Sequence, residues 1–236
     1  MMKLSQRTIL ALTALVLTPR LHAEKPKPPK IDSKLPLVFS DDFEDGSKAW
    51  AASDPKAWKV TEVDGNKVYN QYQQSKVKTP VRSPFNRSMI RDVTVGDMIL
   101  DVRLQSTIKD YGHRDMCLFF GFQDPAHFYY VHLGKKMDDH ANNIFIVNGK
   151  PRTKISKTTT QGTNWDDKWH HARVIRRVKT GEIEVYFDDM KKPVMTAVDK
   201  TFQFGKVGLG SFDDTGNYDN VFLFGDVVKA KSKTAN

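Results

Sequence analysis

Side chains able to move protons are concentrated between His127 and Arg152. Imidazole and phenol groups can remove or deliver a proton, and a guanidinium can neutralise a carboxylate, so this combination suits elimination on a uronic-acid polymer. The same groups can instead bind sugar hydroxyls without chemistry, or hydrogen-bond one another within a sheet. The residues predicted to act in catalysis, if the protein is an enzyme, are His132, Tyr130, His127 and Arg152.

The element that positions most of these groups is the segment HFYYVHLG, from His127 to Gly134. Read at the two-residue period of a β-strand, it has one face that is aromatic and polar and another that is mainly apolar. Aromatic rings stack on sugar faces, while imidazole and phenol groups hydrogen-bond hydroxyls. The segment therefore predicts the middle of a carbohydrate-binding sheet, with its ligand face formed by Phe128, Tyr130 and His132.

Neighbouring strands are expected to bring further polar groups to the same ligand. The segment HANNIFIVNG follows within a few residues, DMILDVRLQ alternates cleanly, and WHHAR offers two adjacent histidines. Adjacent strand residues point to opposite faces, so only one of the two histidines can join the site, which argues against their binding one metal ion together. The predicted substrate-binding residues are Asp101, Arg103, His140, Asn142, Asn143 and His171.

Acidic residues near both ends of the predicted domain suggest a structural calcium ion. They lie in FSDDFEDG and in SFDDTGNYD, and the terminal strands of a sandwich often lie side by side. Calcium requires six to eight oxygen ligands, which carboxylates and carbonyls supply. The alternative is a set of acidic turns, which Asp-Gly and Asp-Asn sequences form readily. The predicted metal ligands are Asp42 and Asp219, and no organic cofactor is expected.

Short alternating segments recur along the chain, and no stretch shows a sustained helical period with caps. About a dozen such segments are separated by Gly, Pro, Asn and Asp, with hairpin turns expected at Asp64-Gly65 and Thr180-Gly181. The predicted fold class is all-β, a two-sheet antiparallel β-sandwich of jelly-roll type. Cys117, the single cysteine, lies in the apolar run MCLFFGF and is interpreted as an inert core thiol.

The two ends of the chain differ from its centre. Residues 1–23 have a charged start, an apolar stretch of ten residues and a plausible cleavage site, which predicts a signal peptide. Residues 24–36 are predicted to form a Lys/Pro-rich linker, 37–226 the folded domain, and 227–236 a basic tail. We therefore expect an exported protein, periplasmic or extracellular, with no integral membrane segment after cleavage.

The formal charge of +9 comes almost entirely from these ends, and residues 37–226 carry about +1. Basic termini are more often solvated tails than recognition elements, so nucleic acid is not an expected partner.

Several segments together resemble the concanavalin A-like lectin/glucanase superfamily, including its laminin-G-like, keto-disaccharide hydrolase-like and family 16 glycoside hydrolase-like secreted bacterial domains. The similar segments are FSDDFEDG, a strand containing DVR, WHHARV, GEIEVYFDD and GSFDDTGNYDNV, so the resemblance spans about residues 37–225. It implies a jelly roll, with a polysaccharide or oligosaccharide as partner. The E-x-D-x-x-E run of true family 16 glucanases is absent, and the nearest pair, Glu182 and Glu184, fits a solvent-facing hairpin strand better.

The leading hypothesis is an exported carbohydrate-active protein that binds a polysaccharide on one sheet face. One alternative is a polysaccharide hydrolase or eliminative lyase that uses the His/Tyr/Arg group. Another is a non-catalytic structural domain of an envelope assembly.

Overall fold

A computed structural model describes residues 26–229. The predicted signal peptide (1–23), the start of the linker and residues 230–236 of the basic tail lie outside this range. Within it the chain forms two antiparallel sheets, which confirms the predicted all-β sandwich. The described residues contain no helix that is both long enough and apolar enough to cross a membrane.

The first sheet has nine strands. Eight of them follow the order β11 (Ser156–Thr159), β14 (Met195–Val198), β13 (Glu182–Phe187), β12 (His170–Arg177), β6 (Val95–Ser106), β16 (Gly216–Val227), β4 (Asn66–Gln71) and β3 (Trp58–Val63). The ninth strand, β1 (Leu37–Asp41), pairs with β16.

The second sheet has seven strands and carries the HFYYVHLG segment. Its order is β10 (Thr153–Lys154), β9 (Asn143–Asn148), β8 (His127–Gly134), β7 (Asp115–Asp124), β15 (Lys206–Ser211), β5 (Asn86–Ile90) and β2 (Trp50–Ala52). A short 3-10 turn, Pro55–Ala57, precedes β3.

The main core lies between the sheets and follows from the alternation of the strands. From Met98 to Leu104 of β6, every second residue is at most 1 % exposed, and Tyr129, Val131 and Leu133 of β8 are fully buried against that layer. Removing such apolar side chains from water contributes about 25 cal/mol per Å² of surface, which fixes which face of each strand points inward. The inward residues of β6 are Met98, Leu100, Val102 and Leu104.

Both predicted hairpin turns are present. Asp64 and Gly65 have φ values of 52° and 82°, between the paired strands β3 and β4. Positive φ at both central residues is what a two-residue turn matching the twist of its strands requires. Gly181, with φ of 83°, follows Thr180 between β12 and β13.

A second, smaller core covers the outer face of the second sheet. Phe128 and Tyr130 are fully buried there, and the Tyr130 ring stacks on Phe145 with centroids 5.1 Å apart. Val81, from the segment between β4 and β5, and Phe212, which follows β15, pack against this cluster. The expectation that these rings form an open platform for sugar stacking is therefore wrong, because loops from elsewhere in the chain bury them.

The outermost strands of both sheets are short. In the second sheet β10 has two residues and β2 has three, and in the first sheet β11 has four and β3 six. Lysine occurs in β10, β11 and β3, at Lys154, Lys157 and Lys59.

Candidate ligand-binding cleft

A cleft of about 220 Å³ opens in the outer face of the second sheet, where β7 begins and β8 ends. Strand pairing positions its floor, because Cys117 of β7 lies opposite His132 of β8 and Asp115 opposite Gly134. Loops supply the walls. The lining residues are Arg82, His113, Asp115, His132, Asp138, His140, Ala141, Arg152, Phe212 and Asp213.

Unpartnered polar atoms distinguish this cleft. Within residues 26–229, seven buried side-chain nitrogen or oxygen atoms have no hydrogen-bond partner, and five of them lie in this region. Such an atom costs about 1–3 kcal/mol when it stays unpaired, so a ligand or water that pairs with it is stabilised. The five atoms are Asp115 Oδ1, Tyr130 Oη, His132 Nε2, Arg152 Nε and Arg152 Nη1.

Two other surface clefts are larger, at about 300 and 330 Å³. The first is lined by Phe39, Asp41 and Phe222 among others, and the second by Arg103, Trp169 and Asp219 among others. None of the seven unpartnered atoms belongs to a residue of either lining. Volume alone therefore does not identify the site, and we place it at the cleft beside His132.

The His132 ring is held by the backbone. Its Nδ1 lies 3.0 Å from the carbonyl oxygen of His140, which can only accept a hydrogen bond, so Nδ1 carries the proton. Its Nε2 lies 3.2 Å from Asp115 Oδ2 but makes no hydrogen bond there. The side chain thus presents a fixed, nearly buried nitrogen to the carboxylate of Asp115.

Arg152 forms one wall and is held by stacking. Its guanidinium lies 4.3 Å from the ring centroid of Phe212 and 5.7 Å from that of Phe145. Nη2 donates to the carbonyl oxygen of His140 at 3.4 Å, while Nε and Nη1 are unpaired. The guanidinium is oriented without a carboxylate partner, so two buried donors beside the cleft keep unused hydrogen-bonding capacity.

Three carboxylates converge beside the cleft, those of Asp115, Asp213 and Asp214. Asp214 accepts hydrogen bonds from Tyr111 Oη and from the backbone N–H of Asp115, both at 2.7 Å. Burial, with the charge of Asp115, raises the pKa of Asp214 to about 7. Burial, again with the charge of Asp115, also raises the pKa of Asp213, whose carboxyl group lines the cleft.

The structure brings together His132, His140 and Arg152, three of the predicted site residues. Asn142 and Asn143 are close by but have structural roles. Asn142 Nδ2 donates to the carbonyl oxygen of Thr160 at 2.9 Å, and Asn143 Nδ2 donates to those of Asp138 at 2.8 Å and Ala141 at 2.9 Å. Both amides are buried and fix the loop that carries His140. Tyr130 lies below the floor and is fully buried.

Other predicted residues lie elsewhere. His127 is at the opposite end of β8, about 17 Å from His132 at about 3.3 Å per residue, and contacts Asp124 at 2.9 Å. Asp101, Arg103 and His171 belong to the first sheet, on its outer face, where Asp101 accepts hydrogen bonds from His171 and Arg173, both at 2.7 Å. They cannot share a ligand with His132, because the two outer faces lie on opposite sides of the sandwich.

Of the predicted calcium ligands, Asp42 follows β1 in a turn and Asp219 lies within β16. Asp42 Oδ1 accepts a hydrogen bond from the Glu44 N–H at 3.3 Å, and Asp219 accepts them from Asn66 Nδ2 at 2.9 Å and the Asn220 N–H at 2.7 Å. Among the described residues, neither belongs to a group of three side chains whose donor atoms converge for a metal. Both carboxylates accept hydrogen bonds from nearby residues, and a calcium ion at Asp42 and Asp219 stays a prediction. The carboxylates that converge within residues 26–229 lie in the cleft region.

Sequence reasoning missed Asp115 and Phe212 as cleft residues. One signal for Asp115 was available, because it opens the alternation that continues through Cys117 and Phe119. A charged residue at the head of a buried strand face needs a specific partner. Asp213 was recognised only as part of the acidic group near the end of the domain.

No protein-family model matches the chain, and no curated protein matches its sequence. Solved structures are similar in fold. The carbohydrate-binding module CBM66 from Bacillus subtilis superposes with a TM-score of 0.52 at 16 % identity, covering 75 % of this chain and 95 % of that one.

Domain 4 of AbnA, an extracellular arabinanase from Geobacillus stearothermophilus in complex with arabinotriose, gives a TM-score of 0.54 at 11 % identity, with coverage of 84 % and 96 %. A xylan β-1,4-xylosidase from Bacillus halodurans gives 0.51 at 15 % identity and covers 84 % of this chain but 41 % of that one. At these identities the likeness shows the fold alone.

Proposed function

We propose that this is an exported carbohydrate-binding protein, with residues 37–226 as the binding domain and the cleft beside His132 as the binding site. The observation that carries the proposal is the convergence of unpartnered donors and acceptors on one cleft. A sugar hydroxyl donates and accepts at once, so a diol can bridge a carboxylate such as that of Asp213 and a guanidinium such as that of Arg152.

The size of the cleft suggests which part of a glycan it takes. At about 220 Å³ it is smaller than the roughly 300–1,000 Å³ of pockets that enclose drug-sized ligands. A single sugar residue, at a chain end or a side branch, fits this volume better than the middle of a long chain. The Arg152 and Phe212 wall would contact one edge of the sugar and Asp213 another.

The similar folds support the ligand class. One neighbour is a carbohydrate-binding module, and another is a domain of an arabinanase bound to arabinotriose. For this chain, an oligosaccharide or polysaccharide partner rests on the cleft chemistry together with that likeness of fold.

The arrangement of the side chains supports binding better than it supports catalysis. The groups predicted to be catalytic do not all meet at one site. Tyr130 is fully buried and His127 lies at the far end of β8, so the set that would perform elimination does not surround one ligand. Glu182 and Glu184, the candidates for hydrolysis, lie on the first sheet, where Arg177 pairs with Glu184 at 2.8 Å. A purely structural role would not explain why several buried polar atoms at the cleft lack hydrogen-bond partners within residues 26–229.

The test is a titration of the mature protein with neutral and acidic oligosaccharides, including arabinose- and xylose-based ones, by calorimetry. We expect Arg152→Ala to weaken binding of any bound glycan at least tenfold, because it removes two unpaired donors together with the guanidinium that stacks on Phe212. The matched control is Arg103→Ala, an arginine at the cleft of the first sheet, which should change affinity less than twofold.

Two results would overturn the proposal. Absence of binding across the panel would remove carbohydrate as the ligand class. Loss of binding in Arg103→Ala but not in Arg152→Ala would move the site to the other sheet. New reducing ends, or unsaturated-uronate absorbance, in the same incubations would show that the protein cleaves its glycan instead of only binding it.

A further inference from the structure

Three different metal-binding side chains meet at the floor of the cleft. The Asp115 carboxylate, the Cys117 thiol and the His132 imidazole place their ligand atoms within 4.8 Å of one another. From this geometry we propose that they bind a transition metal of the zinc class, with an open coordination position facing the cleft. This site differs from the calcium expected near Asp42 and Asp219, and it does not depend on a bound sugar.

The orientation of His132 is the first argument. Metal-binding histidines almost always donate their second ring N–H to a carbonyl or carboxylate, which leaves the other nitrogen free as a ligand. His132 has this arrangement, because Nδ1 donates to the His140 carbonyl at 3.0 Å and Nε2 faces Asp115.

Unsatisfied atoms are the second argument. His132 Nε2 and Asp115 Oδ1 have no hydrogen-bond partner, although their side chains are only 7 % and 1 % exposed. A nitrogen lone pair facing a carboxylate is unfavourable unless a cation or an added proton lies between them. A bound metal supplies that positive charge between His132 Nε2 and the Asp115 carboxylate.

The distances agree with a tetrahedral centre. Asp115 Oδ2 lies 3.2 Å from His132 Nε2 and 3.3 Å from Cys117 Sγ. Bonds of about 2.0–2.3 Å from zinc to oxygen, nitrogen and sulfur place neighbouring ligand atoms about 3.3–3.5 Å apart in a tetrahedron. Two of the three distances between ligand atoms therefore match a tetrahedral zinc site, and the third, between Cys117 and His132, is within 4.8 Å.

The donor set determines the class of metal. Imidazole nitrogen and thiolate sulfur favour zinc and its neighbours, whereas calcium prefers an all-oxygen shell. Three protein ligands leave a fourth position for a cleft ligand or for Asp213, which lines the cleft and whose carboxylate converges with that of Asp115. Binding would release the thiol proton of Cys117 to solvent, so the charge of the ion is balanced by the thiolate and the carboxylate.

The chain contains a matched control in His170. Its side chain is 8 % exposed, close to the value for His132, and it also contacts carboxylates. Both of its nitrogens are partnered, by Asp188 at 2.8 Å and Asp166 at 3.2 Å, and it belongs to no converging metal-binding group. His170→Gln therefore tests for non-specific binding by a buried histidine.

The experiment is a titration of the chelator-treated mature protein with Co²⁺, without sugar, followed by absorbance. We expect a thiolate-to-cobalt charge-transfer band that saturates at one ion per chain and disappears when Zn²⁺ is added. The chain has one cysteine, so the band can arise only from Cys117. His132→Gln and Cys117→Ser should each weaken metal binding at least a hundredfold, and His170→Gln should behave as the unmodified protein.

Several results would overturn the proposal. One is the absence of a thiolate band in the unmodified protein, which decides the question even if Cys117→Ser does not fold. Another is an identical band in His132→Gln with an intact melting transition. A rise in melting temperature with Ca²⁺ but not with Zn²⁺ would assign the ion to the Asp115, Asp213 and Asp214 carboxylates instead.

Discussion

The two outer faces of the sandwich each carry an aspartate, a histidine and an arginine, yet these groups are paired on one face only. On the first sheet, Asp101 accepts hydrogen bonds from both His171 and Arg173. On the second sheet, Asp115 and His132 face each other without a hydrogen bond, and Arg152 stacks on Phe212. Residue types alone therefore do not distinguish a structural cluster from a ligand site, whereas unfilled hydrogen-bonding capacity does.

The difference has a geometric origin. Arg173 lies directly opposite Asp101 in the pairing of β12 with β6, so the register of these two strands places the ion pair in contact. On the second sheet only Asp115 and His132 come from paired strands, while Arg152 lies outside them, before β10. The backbone N–H of Arg152 donates to the Arg82 carbonyl at 3.1 Å, and its guanidinium stacks on the ring of Phe212.

The largest expected effect tests the paired face. Asp101→Ala should lower the free energy of unfolding by about 2–3 kcal/mol, because it leaves a nearly buried arginine and a half-buried histidine without their carboxylate. Asp213→Ala on the second face should change it by no more than about 0.5 kcal/mol, because Asp213 accepts no hydrogen bond within residues 26–229. Urea denaturation of both variants measures the difference. Equal losses would remove the distinction between the faces.

A smaller effect separates two adjacent tyrosines of β8. Tyr129 Oη donates to Asp199 and accepts from the Phe202 N–H at 3.0 Å, so Tyr129→Phe should cost about 2 kcal/mol. Among the described residues Tyr130 Oη has no hydrogen-bond partner, so Tyr130→Phe should leave stability unchanged or raise it slightly. Thermal unfolding of the two variants makes the comparison within one strand. A substantial loss in Tyr130→Phe would show that its hydroxyl is already satisfied, for example by internal water.

The smallest effect concerns pH and a carboxyl group of β16. Burial, helped by the charges of Asp42 and Glu44, raises the pKa of Asp219 from 3.8 to about 6. Between these values the folded state holds more protons than the unfolded state, so the free energy of unfolding falls as pH rises from about 4 to about 6. After allowance for solvent screening we expect about 1 kcal/mol from this residue.

The Asp219→Asn variant tests how much Asp219 contributes to the change of the free energy of unfolding with pH. Denaturant unfolding at several pH values should show a shallower decline in the variant than in the unmodified protein across this window. Identical slopes would mean that Asp219 keeps its ordinary pKa in the folded state.

Local pattern predicted much of the fold, as β8 illustrates. Its alternation correctly assigned Tyr129, Val131 and Leu133 to one face and Tyr130 and His132 to the other. Alternation does not say which sheet a strand joins. The pairing of β6 with β12 and β16, and of β8 with β7 and β9, decides that Asp101 and His132 lie on opposite sides of the molecule.

The candidate site was predictable only in part, for a related reason. His132, His140 and Arg152 lie within 21 residues of one another, so the local sequence pattern was enough to predict them as one group. Asp213 and Phe212 reach the cleft because β15 pairs with β7, a contact between residues about ninety positions apart. The burial of Tyr130 likewise depends on Val81 and Phe212, which belong to distant loops.

The short outer strands of the second sheet affect how readily the protein aggregates at high concentration. An exposed strand edge offers unpaired N–H and C=O groups to another chain, and long, flat, apolar edges are where sheet proteins aggregate. Here β10 and β2 give a second molecule only two or three residues to pair with, and Lys154 adds charge at one edge. We expect the second sheet to resist edge-to-edge association even though, with one cysteine, the protein has no internal disulfide to hold its strands together.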